Sequence, residues 1–109
     1  MKGPDDDLPV IERTAVRLVV LDLDHRVLLL HITEPLHRDE VSCWELPGGG
    51  IGPDETLADA ASRELLEKTG LQVDAGKIDP CTWHRRATFR HAGAHRVQAE
   101  LVVQVRVPV

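Results

Sequence analysis

The chain has no tyrosine, one phenylalanine and two tryptophans. Aromatic surfaces able to stack on a base are therefore scarce, and Trp44 and Trp83 are the two candidates. Trp44 runs into a Leu-Pro turn, which favours packing in the core over an exposed role. Cysteine is almost as rare. Cys43 and Cys81 are far apart in sequence and lack zinc-ligand spacing, so reduced thiols, one or both part-buried, are expected. The six histidines (His25, His31, His37, His84, His91 and His95) show no zinc spacing on one helix either, and the last three read as surface residues. No apolar run approaches the length that spans a bilayer. The opening "MKGPDDDLPV" is acidic and broken by proline, which is unlike a secretory signal. These absences lead to the expectation of a cytoplasmic location with no membrane partner.

What is present suits one domain with a single core: 109 residues, 42% hydrophobic and 28% charged. Residues 1–13 read as a flexible lead and 14–109 as the domain. Charge is unevenly spread. Residues 1–80 carry 8 basic and 17 acidic side chains, whereas residues 81–109 carry five arginines and one glutamate. The acidic bulk argues against a partner that is a large nucleic acid. The basic tail suits a phosphate or a solvated strand surface.

"TAVRLVVLDLDHRVLLLHI" (14–32) is rich in β-branched residues and leucine and breaks at Asp22–Arg26. It predicts two strands joined by a turn and paired antiparallel. Residues 33–42 read as a polar loop, and 43–55 as a short strand entering a glycine-rich turn. A helix follows, with Asp54 as its N-cap and Gly70 at its αL C-terminal position. Leu57, Ala58, Ala61 and Leu65 fall within about a 100° arc, forming one apolar face. Residues 71–73 read as a short extended piece. Residues 80–91 and 95–107 read as strands around a "HAGA" hairpin tip. The order β-β-loop-β-α-β-β-β makes a mixed α/β sandwich.

Gly48, Gly49 and Gly50 lie between a strand and this helix. A dinucleotide-binding loop would need glycine where Pro53 stands, and a Walker loop would need a Gly-Lys-Ser/Thr sequence that is absent. The glycines alone indicate a tight turn or a close backbone approach. Their spacing to the helix is more specific. Gly49 is followed after five residues by Glu55, and seven more residues lead to Arg63, Glu64 and Leu65, then Glu67, Lys68, Gly70 and Leu71. This resembles the Nudix box, G-x(5)-E-x(7)-R-E-U-x-E-E-x-G-U, in eight of nine fixed positions. "WELPGG" upstream resembles the segment that enters it, and the looser likeness extends over residues 14–107. Independently, Glu64, Glu67 and position 68 share a helix face at i, i+3 and i+4. Clustered carboxylates there need a cation, and hard oxygen donors suit magnesium. A bare acidic face in water is the other reading of the two glutamates taken alone.

The resemblance implies a Nudix-type α/β/α sandwich with a mixed sheet, here without the usual C-terminal helix. It implies metal-dependent hydrolysis, with Mg2+ or Mn2+, of a nucleoside diphosphate linked to another moiety, by water attack on phosphorus. It places Gly49, Glu64 and Glu67 as metal ligands, with Glu64 and Glu67 catalytic and Glu64 the general base. Glu100, the single acid of the tail, is a further ligand candidate. Glu55, Arg63 and Gly70 take structural roles in the motif. Arg85, Arg86 and Arg90 are candidates to bind substrate phosphates.

Lys68 departs from the pattern, because an ammonium group repels a metal ion. It also offers Glu64 a partner in the favourable Glu(i)–Lys(i+4) order. The alternative function is therefore a catalytically silent domain of this fold that binds a nucleotide or a protein partner. The chain stops at Val109, after an apolar strand, which is consistent with a truncated chain, a minimal variant or a homodimer whose second copy completes the sheet.

Overall fold

The computed structural model describes residues 8–36 and 39–109. Residues 1–7 of the expected lead and His37 lie outside the described residues, as does the side chain of Cys81. Strand β1 spans Val10–Leu21, β2 Leu30–Leu36, β3 Asp39–Glu45 and β4 Gly48–Gly50. Helix α1 spans Leu57–Thr69, and β5 (Asp79–His91) and β6 (Ala94–Arg106) follow. The first strand starts inside the expected lead. Val10–Arg13 join the ladder with β6, and the Pro9 carbonyl accepts the His95 N–H at 2.8 Å, which draws this stretch into the sheet.

The main sheet is mixed, in the order β4-β1-β6-β5. Its two central strands, β1 and β6, run parallel, and the outer pairs are antiparallel. Residues 33–36 and 39–42 are not a loop: they belong to the strands of a separate two-stranded unit, β2-β3. The strands of 14–32 do not pair as a ladder either. They meet at one bridge, Leu21 to Val27. The turn between them sits where expected, because Asp22 Oδ1 accepts the N–H groups of Asp24 and Arg26 at 2.8 and 2.9 Å and fixes the bend.

The helix forms on the predicted residues. Thr56, not Asp54, caps it: Thr56 Oγ1 accepts the Asp59 N–H at 3.1 Å. Gly70 closes it in the left-handed conformation (φ 80°), donating to the Leu66 carbonyl at 2.9 Å. Ala60, Ala61 and Leu65 are fully buried against Val16, Leu18 and Val20 of β1 and Val103 and Val105 of β6, with Leu57 and Ala58 at the margin. Each branched apolar side chain so buried contributes about 1.5–3 kcal/mol. Leu71 and Val73 pack on this core without forming a strand, and a 3-10 turn follows at Ala75–Lys77.

Side chains alternate across a sheet, so the residues between these core positions face away from α1. The register stacks them in rows. Arg13 of β1 lies beside Gln98 of β6, which lies beside Ala87 of β5; Ala15, Glu100 and Arg85 form the next row, and Arg17, Val102 and Trp83 the third. This second face of the sheet therefore carries arginines, a glutamate and an indole where the first carries valine and leucine.

Candidate active site

The glycine turn and the helix are joined by one guanidinium. Arg63 Nε and Nη2 donate to the two Glu55 oxygens, each at 2.7 Å, and Nη2 also reaches the Gly50 carbonyl at 3.0 Å. Glu55 Oε1 accepts the Gly52 N–H at 2.7 Å. Glu55 thus ties the turn to itself and to the helix at once. The hydrogen bonds from Arg63, and next the one from Gly52, hold the Glu55 carboxyl well below its ordinary 4.5, at about 2. The same pairing raises the Arg63 pKa further.

The remaining nitrogen, Arg63 Nη1, points at the candidate ligands. It lies 2.9 Å from Glu64 Oε1 and 3.3 Å from both Glu67 oxygens, so the two carboxylates converge on one atom. Glu64 is buried and Glu67 half-exposed. Gly49 is the third member of the group. A Cβ built there would stand 2.5 Å from the Glu64 carboxylate carbon and both of its oxygens, so only glycine lets the chain approach this closely. Gly49, Glu64, Glu67 and Lys68 border one cavity of about 390 Å3 together with Arg17 and Glu45.

Two carboxylates beside a backbone turn are hard oxygen donors of the kind magnesium takes while keeping several waters. Glu64, Glu67 and Gly49 are donors of the chemical type a divalent ion takes. Among the described residues no third acidic, histidine or cysteine side chain joins them. Lys68 does not pair with Glu64, contrary to the i, i+4 expectation, and it makes no ion pair among the described residues; Arg63 holds Glu64 instead.

Glu100 is placed elsewhere. Sheet alternation puts it on the second face, where Arg17 Nε donates to Oε2 at 2.9 Å, Gln98 Nε2 to Oε2 at 2.9 Å, and Arg85 Nε to Oε1. Burial pushes its carboxyl up, but these three hydrogen bonds outweigh burial and hold it below the ordinary range. With both oxygens engaged, Glu100 is not brought to the carboxylate cavity where the sequence reading put it. Instead it fixes Arg17 and Arg85.

The three arginine candidates separate. Arg85 faces the groove. Arg90 borders a cavity of about 590 Å3 toward the hairpin end, near Arg96 and Phe89. Arg86, one residue out of phase with Arg85, lies on the opposite face beside Glu12 and Thr14. Sequence reasoning missed Arg17 and Glu45, which border all three cavities on the groove side. A signal was available for Arg17: one arginine in the apolar run "AVRLVV" has to leave the core face. Trp44 also differs from the expectation of core packing, whereas Trp83 had no such expectation. Trp44 is 66% exposed and Trp83 58% exposed, and both border a cavity of about 270 Å3 with Leu29 and Val102. Cys43 is a free, exposed thiol.

The profile of the NUDIX domain matches residues 11–108. RNA pyrophosphohydrolase of Pseudomonas putida is 54% identical over 45 residues, covering 41% of this chain and 28% of that protein. The m7GpppN-mRNA hydrolase NUDT17 of Bos taurus is 35% identical over 80 residues, covering 71% of this chain and 26% of that protein. The chain thus spans under a third of the length of these two curated relatives. The crystal structure of the MutT protein from Methanosarcina mazei Go1 superposes with a TM-score of 0.65 at 22% identity, over 94% of this chain and 68% of that one. That likeness shows the fold. Among the described residues no helix is long and apolar enough to cross a membrane.

Proposed function

The chain belongs to the Nudix family, whose hydrolase members are enzymes, and from that premise we propose that it hydrolyses the diphosphate of a nucleoside diphosphate linked to another moiety. The observation that carries this reading is the approach of the Glu64 carboxylate to Gly49, with Glu67 converging on the same Arg63 nitrogen. Glu64, Glu67 and the Gly49 turn would hold Mg2+ or Mn2+, which when bound would neutralise phosphate charge and lower the pKa of water. Glu64 takes the proton of the attacking water as its oxygen bonds to phosphorus and the bridging P–O bond breaks, releasing two phosphorylated products. Glu55 and Arg63 hold the turn and both glutamates in place. Arg17 and Arg85, fixed by Glu100, face the groove with positive charge for the substrate phosphates.

One observation favours a second reading, a silent domain that binds nucleotide without turnover. Lys68 borders the carboxylate cavity, exposed and without an ion-pair partner among the described residues. Its ammonium opposes a second ion at the place where the box carries its last glutamate.

The test is release of nucleotide from a panel of dinucleoside polyphosphates, nucleoside diphosphate sugars and a 5′-triphosphorylated RNA, with Mg2+ or Mn2+. The wild-type chain turns over at least one of these, and Glu64→Gln lowers that rate by about 10²–10⁴-fold. Equal turnover by Glu64→Gln overturns the assignment. An inert wild type that gains turnover on Lys68→Glu establishes the silent-domain reading.

A further inference from the structure

Most large aromatic side chains sit largely out of water, yet both tryptophans of this chain are more than half exposed and border the same cavity. Trp44 comes from β3 and Trp83 from β5, so two separate sheets contribute the two indoles. The Trp44 ring lies against His31, with centroids 4.6 Å apart and planes tilted by 35°, a contact that restrains the indole. Leu29 and Val102 add apolar wall, and Arg85 stands at the rim. Arg85 spends its Nε on Glu100, and its two terminal nitrogens have no partner among the described residues.

This cavity adjoins the carboxylate cavity. Arg17 and Glu45 border both, so a molecule lying along the groove passes from Glu64 and Glu67, over the Arg17 guanidinium, to the two indoles. The volumes, about 270 and 390 Å3, are those of small-molecule subsites. The order of chemistry along the groove is carboxylates for a cation, then arginines for anions, then flat apolar faces. A nucleoside diphosphate presents the matching order of metal-bound phosphate, second phosphate and planar base.

We propose that Trp44 and Trp83 form the base-recognition site of this chain, holding the nucleobase of the substrate against their indoles while Arg17 and Arg85 take the phosphates. This rests on the hydrolase reading of the same groove. Trp44 and Trp83 determine substrate affinity and take no part in bond breaking. Stacking contacts of this kind tolerate any base, because each has a π-face.

Trp44 and Trp83 are the only tryptophans in the sequence, so intrinsic tryptophan fluorescence reports on this cavity alone. The experiment titrates the Glu64→Gln protein, without divalent metal, with AMP, GMP and ribose 5-phosphate, and measures KM and kcat of the Trp44→Ala, Trp83→Ala and Trp83→Phe proteins in parallel. Quenching by both nucleotides at concentrations where ribose 5-phosphate leaves the signal unchanged supports the site. So does a rise in KM of about 5- to 100-fold for each alanine variant, with kcat held and with Trp83→Phe restoring most of the affinity. Hydrolysis of a nucleoside diphosphate substrate without quenching overturns the base site and leaves the hydrolase reading standing. Quenching without hydrolysis supports the base site and overturns the hydrolase reading. Neither signal overturns both.

Discussion

Two buried glutamates of this chain make an instructive pair. Glu64 and Glu100 are 6% and 2% exposed, and both contact arginine. Glu100 has both oxygens taken, by Arg17 and Gln98 on one and Arg85 on the other. Glu64 receives one hydrogen bond, from an arginine whose main attachment is to Glu55, and its second oxygen carries none among the described residues. A carboxylate whose oxygens are saturated by its own protein is an anchor, because any ligand must first displace those partners. A carboxylate with an open oxygen beside a glycine is available for one. Burial does not separate the two residues; what already occupies their oxygens does.

The largest expected effects break this contrast at Glu64. Glu64→Gln is expected to reduce turnover about 10²–10⁴-fold while leaving the denaturant midpoint near wild type, as steady-state rates and urea unfolding would show. Gly49→Ala attacks the same contact from the other side. Its methyl group would stand 2.5 Å from the Glu64 carboxylate, and displacing that group by even about 1 Å is expected to cost on the order of 100-fold in turnover. Retained turnover in Gly49→Ala would mean that the close approach has no functional weight.

The opposite signature belongs to Glu100. Glu100→Gln removes the countercharge of Arg17 and Arg85, and urea unfolding should show a loss of about 1–3 kcal/mol. Its effect on rate should fall mainly on KM, since the two arginines lose their positions rather than their charge. Lys68→Glu sharpens the comparison by adding a third carboxylate beside Glu64. Mn2+ affinity is expected to tighten about tenfold, measured by calorimetry.

The smallest effect is a pH dependence. The Glu55 carboxyl is lowered from 4.5 to about 2 in the folded chain. A depressed carboxylate stabilises the fold fully above its unfolded value of 4.5 and loses that contribution as pH falls through about 2. Acid unfolding of wild type should therefore be steeper between these values than that of Glu55→Gln. Superimposable acid limbs would remove Glu55 from the frame.

Much of the helix end was legible because its signals are local. The box spacing runs through adjacent turns of one helix, and Gly70 closes it in the expected left-handed conformation. The cap was misplaced by two residues because Asp54 and Thr56 are both good N-caps and only the Thr56 hydroxyl meets an N–H. Of β2 and β3 only the ends at 30–32 and 43–45 were legible as strand, because the polar stretch between them lacks the period-2 alternation that marks a half-buried strand. The second face of the sheet was the least accessible. Whether Glu100 meets Glu64 or Arg17 depends on the parallel register of β1 with β6, which joins residues more than eighty positions apart. Trp44 was expected in the core from its neighbours in sequence, but the hairpin that carries it stands outside the main sheet.

The most direct test of the account is Mn2+ binding followed by electron paramagnetic resonance in wild type, Glu64→Gln and Glu100→Gln. Wild type and Glu100→Gln are expected to bind the ion alike, and Glu64→Gln to lose it. Binding retained in Glu64→Gln and lost in Glu100→Gln would reverse the two roles and contradict it.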